Sequence, residues 1–147
     1  MMIKLLVLNG PNLNLLGLRE PKLYGSRSYD ELCAMIRAHA ERRGIAVEIV
    51  QTNHEGVMVD RIQEAQGVFD GIVLNPAAYT HTSVALRDCL LAVGIPTVEV
   101  HLTDPASREP FRAVSYVRDA CLATICGHGF DGYLEAMDLL LHTLTKC

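Results

Sequence analysis

The chain has 147 residues, 50% of them hydrophobic and 20% charged, with 13 Lys and Arg against 17 Asp and Glu for a formal net charge of −4. That length suits one domain with a substantial core and falls short of the roughly 200 residues of a (β/α)8 barrel. The acidic balance leaves no basic stripe for a phosphate backbone, and the N-terminal apolar run is far below the roughly 18 residues of a membrane span, so a cytoplasmic protein with neither nucleic acid nor membrane as partner is expected.

Residues 3–8 form a continuous apolar strand, interrupted only by Lys4, that runs directly into Asn9-Gly10-Pro11-Asn12 without a signal-peptide cleavage site. Ser28-Tyr29-Asp30-Glu31 has the pattern of a capping box, with the Ser hydroxyl on a free amide and the Glu returning to the cap. Leu32, Ile36 and Ala40 then share a helical face, and Arg42, Arg43 and Gly44 close the helix with cations and a left-handed stop. Residues 47–51 form a second strand and residues 57–66 a helix with Met58, Ile62 and Ala65 inward. A third strand covers residues 71–74. It is followed by a helix over 83–93 closed by Gly94, a fourth strand over 96–102, a fifth over 121–126 and a last amphipathic helix over 133–144.

Strands alternating with helices of 10–15 residues imply a parallel sheet covered on both faces. The expected fold is α/β: a flavodoxin-like, doubly wound, five-stranded parallel sheet in order 2-1-3-4-5. The whole chain, 1–147, then forms a single catalytic domain with a lid-like loop at about 12–27. The five cysteines are odd in number and lack Cys-x-x-Cys, so Cys33, Cys89, Cys121, Cys126 and Cys147 are read as reduced thiols, mostly buried.

In such sheets ligands bind beyond the carboxyl ends of the strands. Those ends carry Asn9 and Asn12 after the first strand, and Asn75, Tyr79 and His81 after the third, where a helix N-terminus would favour an anion. Glu99 and His101 on the fourth strand are two residues apart and share a sheet face, so the carboxylate can fix the imidazole tautomer and make it a better proton donor. Arg19 and Tyr24 lie in the long first loop, and Arg108 and Arg112 in a later one. The bland readings are surface positions for His39, His54 and His142, packing for Tyr79, and solvated charge for the two later arginines. Gly127-His128-Gly129-Phe130-Asp131-Gly132 fits G-x-G-x-x-G literally. The chain ends before the strand and acidic residue a dinucleotide site requires, so it is read as a tight turn. The scattered histidines offer no metal motif.

Leu8-Asn9-Gly10-Pro11-Asn12-Leu13-Asn14-Leu15-Leu16-Gly17 with Arg19-Glu20-Pro21 and Tyr24-Gly25 resembles the N-terminal signature of type II 3-dehydroquinate dehydratases. Asn53-His54-Glu55-Gly56, Asn75-Pro76, Tyr79-Thr80-His81-Thr82-Ser83, Glu99-Val100-His101-Leu102 and Arg108-Glu109-Pro110-Phe111-Arg112 resemble its later motifs, in order, from Leu5 to about Leu140. The resemblance implies dehydration of 3-dehydroquinate to 3-dehydroshikimate by anti elimination through an enolate, in the shikimate pathway or in quinate breakdown, with neither metal nor organic cofactor. The type I enzymes use a lysine Schiff base, whereas Lys4, Lys22 and Lys146 here occupy no convincing buried strand end.

Position by position, the resemblance makes Tyr24 the base, with Arg19 and either Arg108 or Arg112 lowering its pKa from the free value near 10. His101, held by Glu99, becomes the general acid. Asn12 and Asn75 stabilise the enolate, Asn75 through a bound water. Asn75, His81 and Arg112 bind substrate hydroxyls, and Leu102 and Thr103 hold the substrate carboxylate. Asp88 matches a position that reaches a neighbouring subunit's site, in assemblies of trimers grouped into dodecamers. Thr103 and Asp104 depart from the family's frequent Ser and Asn. Thr103 keeps the hydroxyl, and Asp104 is expected to cap its loop rather than face the site. The alternative from another class is a noncatalytic flavodoxin-like binding or regulatory module. The Asn residues at the strand ends disfavour a phosphorylated receiver, and a flavin binder would purify yellow.

Overall fold

The computed structural model describes residues 2–18 and 27–146. Five parallel strands, β1 (Lys4–Asn9), β2 (Ala46–Gln51), β3 (Gly71–Asn75), β4 (Thr97–His101) and β5 (Ala123–Cys126), form one sheet in order β2-β1-β3-β4-β5. Four helices connect or follow them: α1 (Tyr29–Arg43), α2 (Glu55–Glu64), α3 (Val84–Val93) and α4 (Asp131–Thr145). The order is the one expected from the sequence.

Strand parity decides which helix each side chain meets. Leu5, Val7, Val73, Val98 and Val100 point to one face, where Leu32, Ile36 and Ala40 of α1 and Tyr133, Ala136, Met137 and Leu140 of α4 cover them. Leu6, Leu8, Ile72 and Leu74 point to the other, against Met58 and Ile62 of α2 and Leu86, Cys89 and Leu90 of α3. Each buried aliphatic side chain contributes about 1.5–3 kcal/mol relative to exposure, so both faces of β1, β3 and β4 are needed.

The helix stops follow their local chemistry. Ser28 accepts from the Glu31 amide and Ser83 from the Leu86 amide, while Gly44 and Gly94 end their helices at φ 68° and 66°, where a Cβ is disfavoured. The Glu31 carboxylate, expected to return to the cap, pairs with Arg27 at 3.3 Å. Boundaries shift by one or two residues. β1 extends to Asn9, α2 begins at Glu55, and β5 begins at Ala123 because residues 118–120 make a short 3-10 turn.

His39, read from the sequence as a surface residue, is buried. Its ring Nε2 lies 2.7 Å from Asp138 Oδ1 on α4, and Arg43 joins the same carboxylate at 3.0 Å. Burial opposes ionisation of Asp138, but the Arg43 and His39 contacts outweigh it and hold the carboxyl below its usual range. The pair ties α1 to α4 across 99 residues of sequence. Cys33 and Cys89 are buried, Cys121 and Cys126 partly so, and all four are free thiols. Cys147 lies outside the described residues. Among the described residues, no helix is long and apolar enough to cross a membrane.

Candidate active site

Three neighbouring strand ends, β1, β3 and β4, open into a cavity of about 260 Å³. After β1 come Pro11, Asn12 and Leu13; after β3, Asn75, Ala77, Ala78 and His81; at and after β4, His101, Leu102, Thr103 and Pro105, joined by Arg108 and Arg112.

The turn after β1 is held tightly. Gly10 donates its amide to Asn75 O at 2.8 Å, and a Cβ on Gly10 would stand 2.5 Å from Pro76 O. Only glycine lets these two strand ends meet. Asn12 adopts φ 70° and donates its backbone amide to Asn53 Oδ1 at 3.1 Å, while Gln51 Nε2 reaches Gly10 O at 3.1 Å. The tip of β2 thus supports the loop that presents Asn12.

Asn9 and Asn75 are partners in the β1–β3 register and face the α4 side of the sheet. Between them sits the Tyr133 hydroxyl, which accepts from Asn75 Nδ2 at 2.9 Å and donates to Asn9 Oδ1 at 2.6 Å. Asn9 Nδ2 in turn donates to the Tyr29 hydroxyl at 3.2 Å, and Asn75 Oδ1 accepts from the Ala77 amide at 3.1 Å. Burial raises the Tyr133 phenol far above its ordinary range and outweighs the Asn75 hydrogen bond, so it stays a neutral bridge. The sequence reading assigned no role to Tyr133, which looks like one more apolar position of an amphipathic helix. Its partners lie 58 and 124 residues away.

Glu99 and His101 face the opposite side of the sheet. His101 Nε2 lies 2.5 Å from Glu99 Oε2, which leaves Nδ1 as the ring nitrogen that Glu99 does not engage. Glu99 is 0% exposed. Two further donors hold it: Ser115 Oγ to Oε2 at 2.8 Å and Thr124 Oγ1 to Oε1 at 3.0 Å. Burial alone would push the carboxyl up. The His101 hydrogen bond and charge, with the Ser115 and Thr124 hydroxyls, win and hold it below the usual range. Thr124 is the register partner of Glu99 on β5, and a lone hydroxyl in an otherwise apolar strand was the available signal for it.

Other expected residues fall less simply. His81 lines the cavity with Nδ1 2.7 Å from Val114 O. Arg112 lines it too, with Nε on the Glu109 carboxylate and its guanidinium 5.0 Å from the Phe111 ring centre. Asp104 accepts from the Ala106 amide at 3.0 Å, the loop cap expected of it. Asp88 is an exposed residue of α3, away from the described cavity lining. The first residues of the helix expected behind Asn75 are not among those lining the cavity. Residues 77–81 form a 3-10 turn first, and Ser83 takes up the Leu86 amide of α3. The Gly-rich turn after β5 has φ 79° at Gly127 and 57° at Gly129, whose amides donate to His101 O and Leu102 O. It is a turn that secures the end of β4. Arg19 and Tyr24 lie outside the described residues, and among those described no cluster of three or more His, Cys, Asp or Glu is placed to hold a metal ion.

The sequence model of the family described as Dehydroquinase class II matches residues 3–141. This chain belongs to that family. A relative named 3-dehydroquinate dehydratase, from Geotalea daltonii, is 50% identical over 144 residues, covering 98% of this chain and 100% of the relative. One named catabolic 3-dehydroquinase, from Aspergillus clavatus, is 54% identical over 134 residues, 91% of this chain and 89% of its own. The crystal structure of type II dehydroquinase from Butyrivibrio crossotus superposes with a TM-score of 0.94 at 46% identity, covering 95% of this chain and 98% of that one.

Proposed function

We propose that the chain is a hydro-lyase that converts 3-dehydroquinate to 3-dehydroshikimate and water. The observation that carries the reading is the buried Glu99–His101 pair, 2.5 Å apart, at a polar cavity of about 260 Å³ in a class II dehydroquinase. A cavity of that size suits one small cyclic acid.

In the proposed anti elimination, Tyr24 takes the proton from the carbon beside the ketone, and the electron pair moves into the ketone oxygen to give an enolate. Asn12 and Asn75 stabilise that oxygen, and Arg19 with Arg108 or Arg112 favours the Tyr24 phenolate. The enolate then collapses, the carbon–oxygen bond breaks, and His101 protonates the departing hydroxyl as general acid. Glu99 takes no proton in this scheme and serves to orient and charge the imidazole. His81 and Arg112 bind ring hydroxyls, and Leu102 with Thr103 holds the carboxylate. The chain acts as a single catalytic domain. It assembles as a homo-oligomer, a dodecamer built from trimers, in which Asp88 reaches a neighbouring site. The free thiols suit a reducing cytoplasm.

Incubation of the purified protein with 3-dehydroquinate should produce the absorbance of a conjugated enone, and its absence with folded, oligomeric protein overturns the reading. Tyr24→Phe should lower kcat by at least about 10²-fold, the scale of a lost proton-transfer group, while substrate binding persists. Near-normal turnover in that variant removes Tyr24 from the base role.

A further inference from the structure

We infer that Ser115 and Thr124 are positioning residues of the acid–base pair, their two hydroxyls holding Glu99 as a carboxylate so that the pair's proton resides on His101. The inference rests on reading His101 as the acid of the proposed elimination.

A carboxylate buried to 0% exposure in the middle of a sheet would ordinarily neutralise itself. The proton closest to hand is the one on His101, 2.5 Å away. Were it to move to Glu99, the imidazole would be left neutral, and a neutral imidazole N–H is too weak an acid to assist a departing hydroxyl near neutral pH. Where that proton sits is therefore as important as whether the pair has it.

An ionised carboxylate only accepts hydrogen bonds, through about four lone-pair directions. Here three are filled by donors: His101 and Ser115 on Oε2, and Thr124 on Oε1. Each donor binds a carboxylate more strongly than a neutral carboxylic acid, so each hydroxyl favours the charged form, and a proton passing from His101 to Glu99 would reverse the His101 bond and weaken the other two. The two hydroxyls come from different places. Thr124 is fixed by the β4–β5 register, while Ser115 is delivered by the loop that runs from the cavity wall at Arg112 toward β5. The titratable groups facing Glu99 are His101 on its own strand and Cys121 and Cys126 from β5 and its approach, while β3 presents Leu74 in register. Burial, with the Glu99 charge beside it, pushes the Cys121 thiol up to about 12, so it supplies no competing charge near neutrality. Arg108 and Arg112 line the same cavity as His101.

The test compares Thr124→Val, which keeps the shape and removes the hydroxyl, with Thr124→Ser, which keeps the hydroxyl, alongside Ser115→Ala and the double variant. The readout is the pH profile of kcat with 3-dehydroquinate. Thr124→Val and Ser115→Ala should each lower the plateau about tenfold and the double variant about a hundredfold, within the span that acid catalysis contributes. KM should stay within about twofold. The alkaline limb should move upward, because a carboxylate stripped of donors holds the shared proton more tightly. Thr124→Ser should restore both plateau and limb. Independently of turnover, the double variant should show an infrared carboxylic-acid band near neutral pH that Glu99→Gln removes. An unmoved alkaline limb, an effect confined to KM, or a Thr124→Ser variant as poor as Thr124→Val overturns the inference. Should one single variant fail to fold, the other decides the question by the same limb and plateau. Failure of the wild type to turn over 3-dehydroquinate would count against the proposed function, whereas the infrared band bears on this inference alone.

Discussion

The Tyr133 bridge offers a direct measure of how much a single hydroxyl contributes to this fold. Tyr133→Phe removes the 2.6 Å bond to Asn9 Oδ1 and the 2.9 Å bond from Asn75 Nδ2 while retaining the ring that α4 packs against the sheet. Asn9 is 0% and Asn75 3% exposed, so water cannot take the place of the phenol without opening the strand ends. A buried polar group left unpaired costs about 1–3 kcal/mol, and two of them, less the relief of no longer burying the phenol oxygen, give a loss of about 2–4 kcal/mol. In a domain of this size each kcal/mol lowers Tm by about 3 °C, so a fall of about 6–12 °C is expected. Thermal unfolding followed by circular dichroism at one fixed protomer concentration measures it, since any assembly makes Tm concentration-dependent. Tyr29→Phe, which loses the longer 3.2 Å bond from Asn9 and a weak contact with the Cys33 thiol, should fall by less than half as much. A Tyr133→Phe variant melting within about 1 °C of wild type would refute the reasoning.

Three other outcomes follow from the geometry. Because Glu99 is held below its ordinary 4.5, it adds stability above that pH which is lost as the pH falls through its folded value. The stability gap between wild type and Glu99→Gln should accordingly narrow as pH drops below about 4.5, and parallel urea-denaturation curves across pH would contradict this. Gly10→Ala drives a Cβ to 2.5 Å from a backbone oxygen, so it should destabilise by about 1–3 kcal/mol and cut turnover by prying β1 from β3; calorimetry and kinetics together check it. Asp104→Asn can keep the cap on the Ala106 amide, so KM should change by less than about twofold; a severalfold drop in KM would show that the carboxylate faces the substrate.

Strand parity and helix stops were legible in the chain because each depends on neighbours a few residues apart, and sheet order because alternating strands and helices leave few parallel arrangements. Ser28, Gly44, Ser83 and Gly94 act within one turn, and Glu99 and His101 share a face by a period of two. Asp104 was legible for the same reason. What escaped the sequence depends on contacts between distant elements. His39 meets Asp138 only once α1 and α4 pack together, and Tyr133 meets Asn9 and Asn75 only once α4 covers the sheet. Ser115 and Thr124 become partners of Glu99 only through the β4–β5 register and the loop that crosses it. The helix start behind Asn75 comes later than the spacing suggests because Pro76 leads into a 3-10 turn, and Ala77 takes φ 53° with its amide on Asn75 Oδ1 before α3 can begin. The spacing of polar residues gives no sign of that detour.

The bond between Tyr133 and Asn9 joins positions 124 apart in the chain. A ribosome adding about 5–20 residues each second has therefore released the first strand many seconds before its partner exists, and until then Asn9 Oδ1 and Asn75 Nδ2 lack the phenol that bridges them. The bridge is closed by a residue made after every one that lines the cavity, so a nascent chain stalled or cleaved before position 133 can carry all five strands and still lack the hydroxyl that ties β1 to β3.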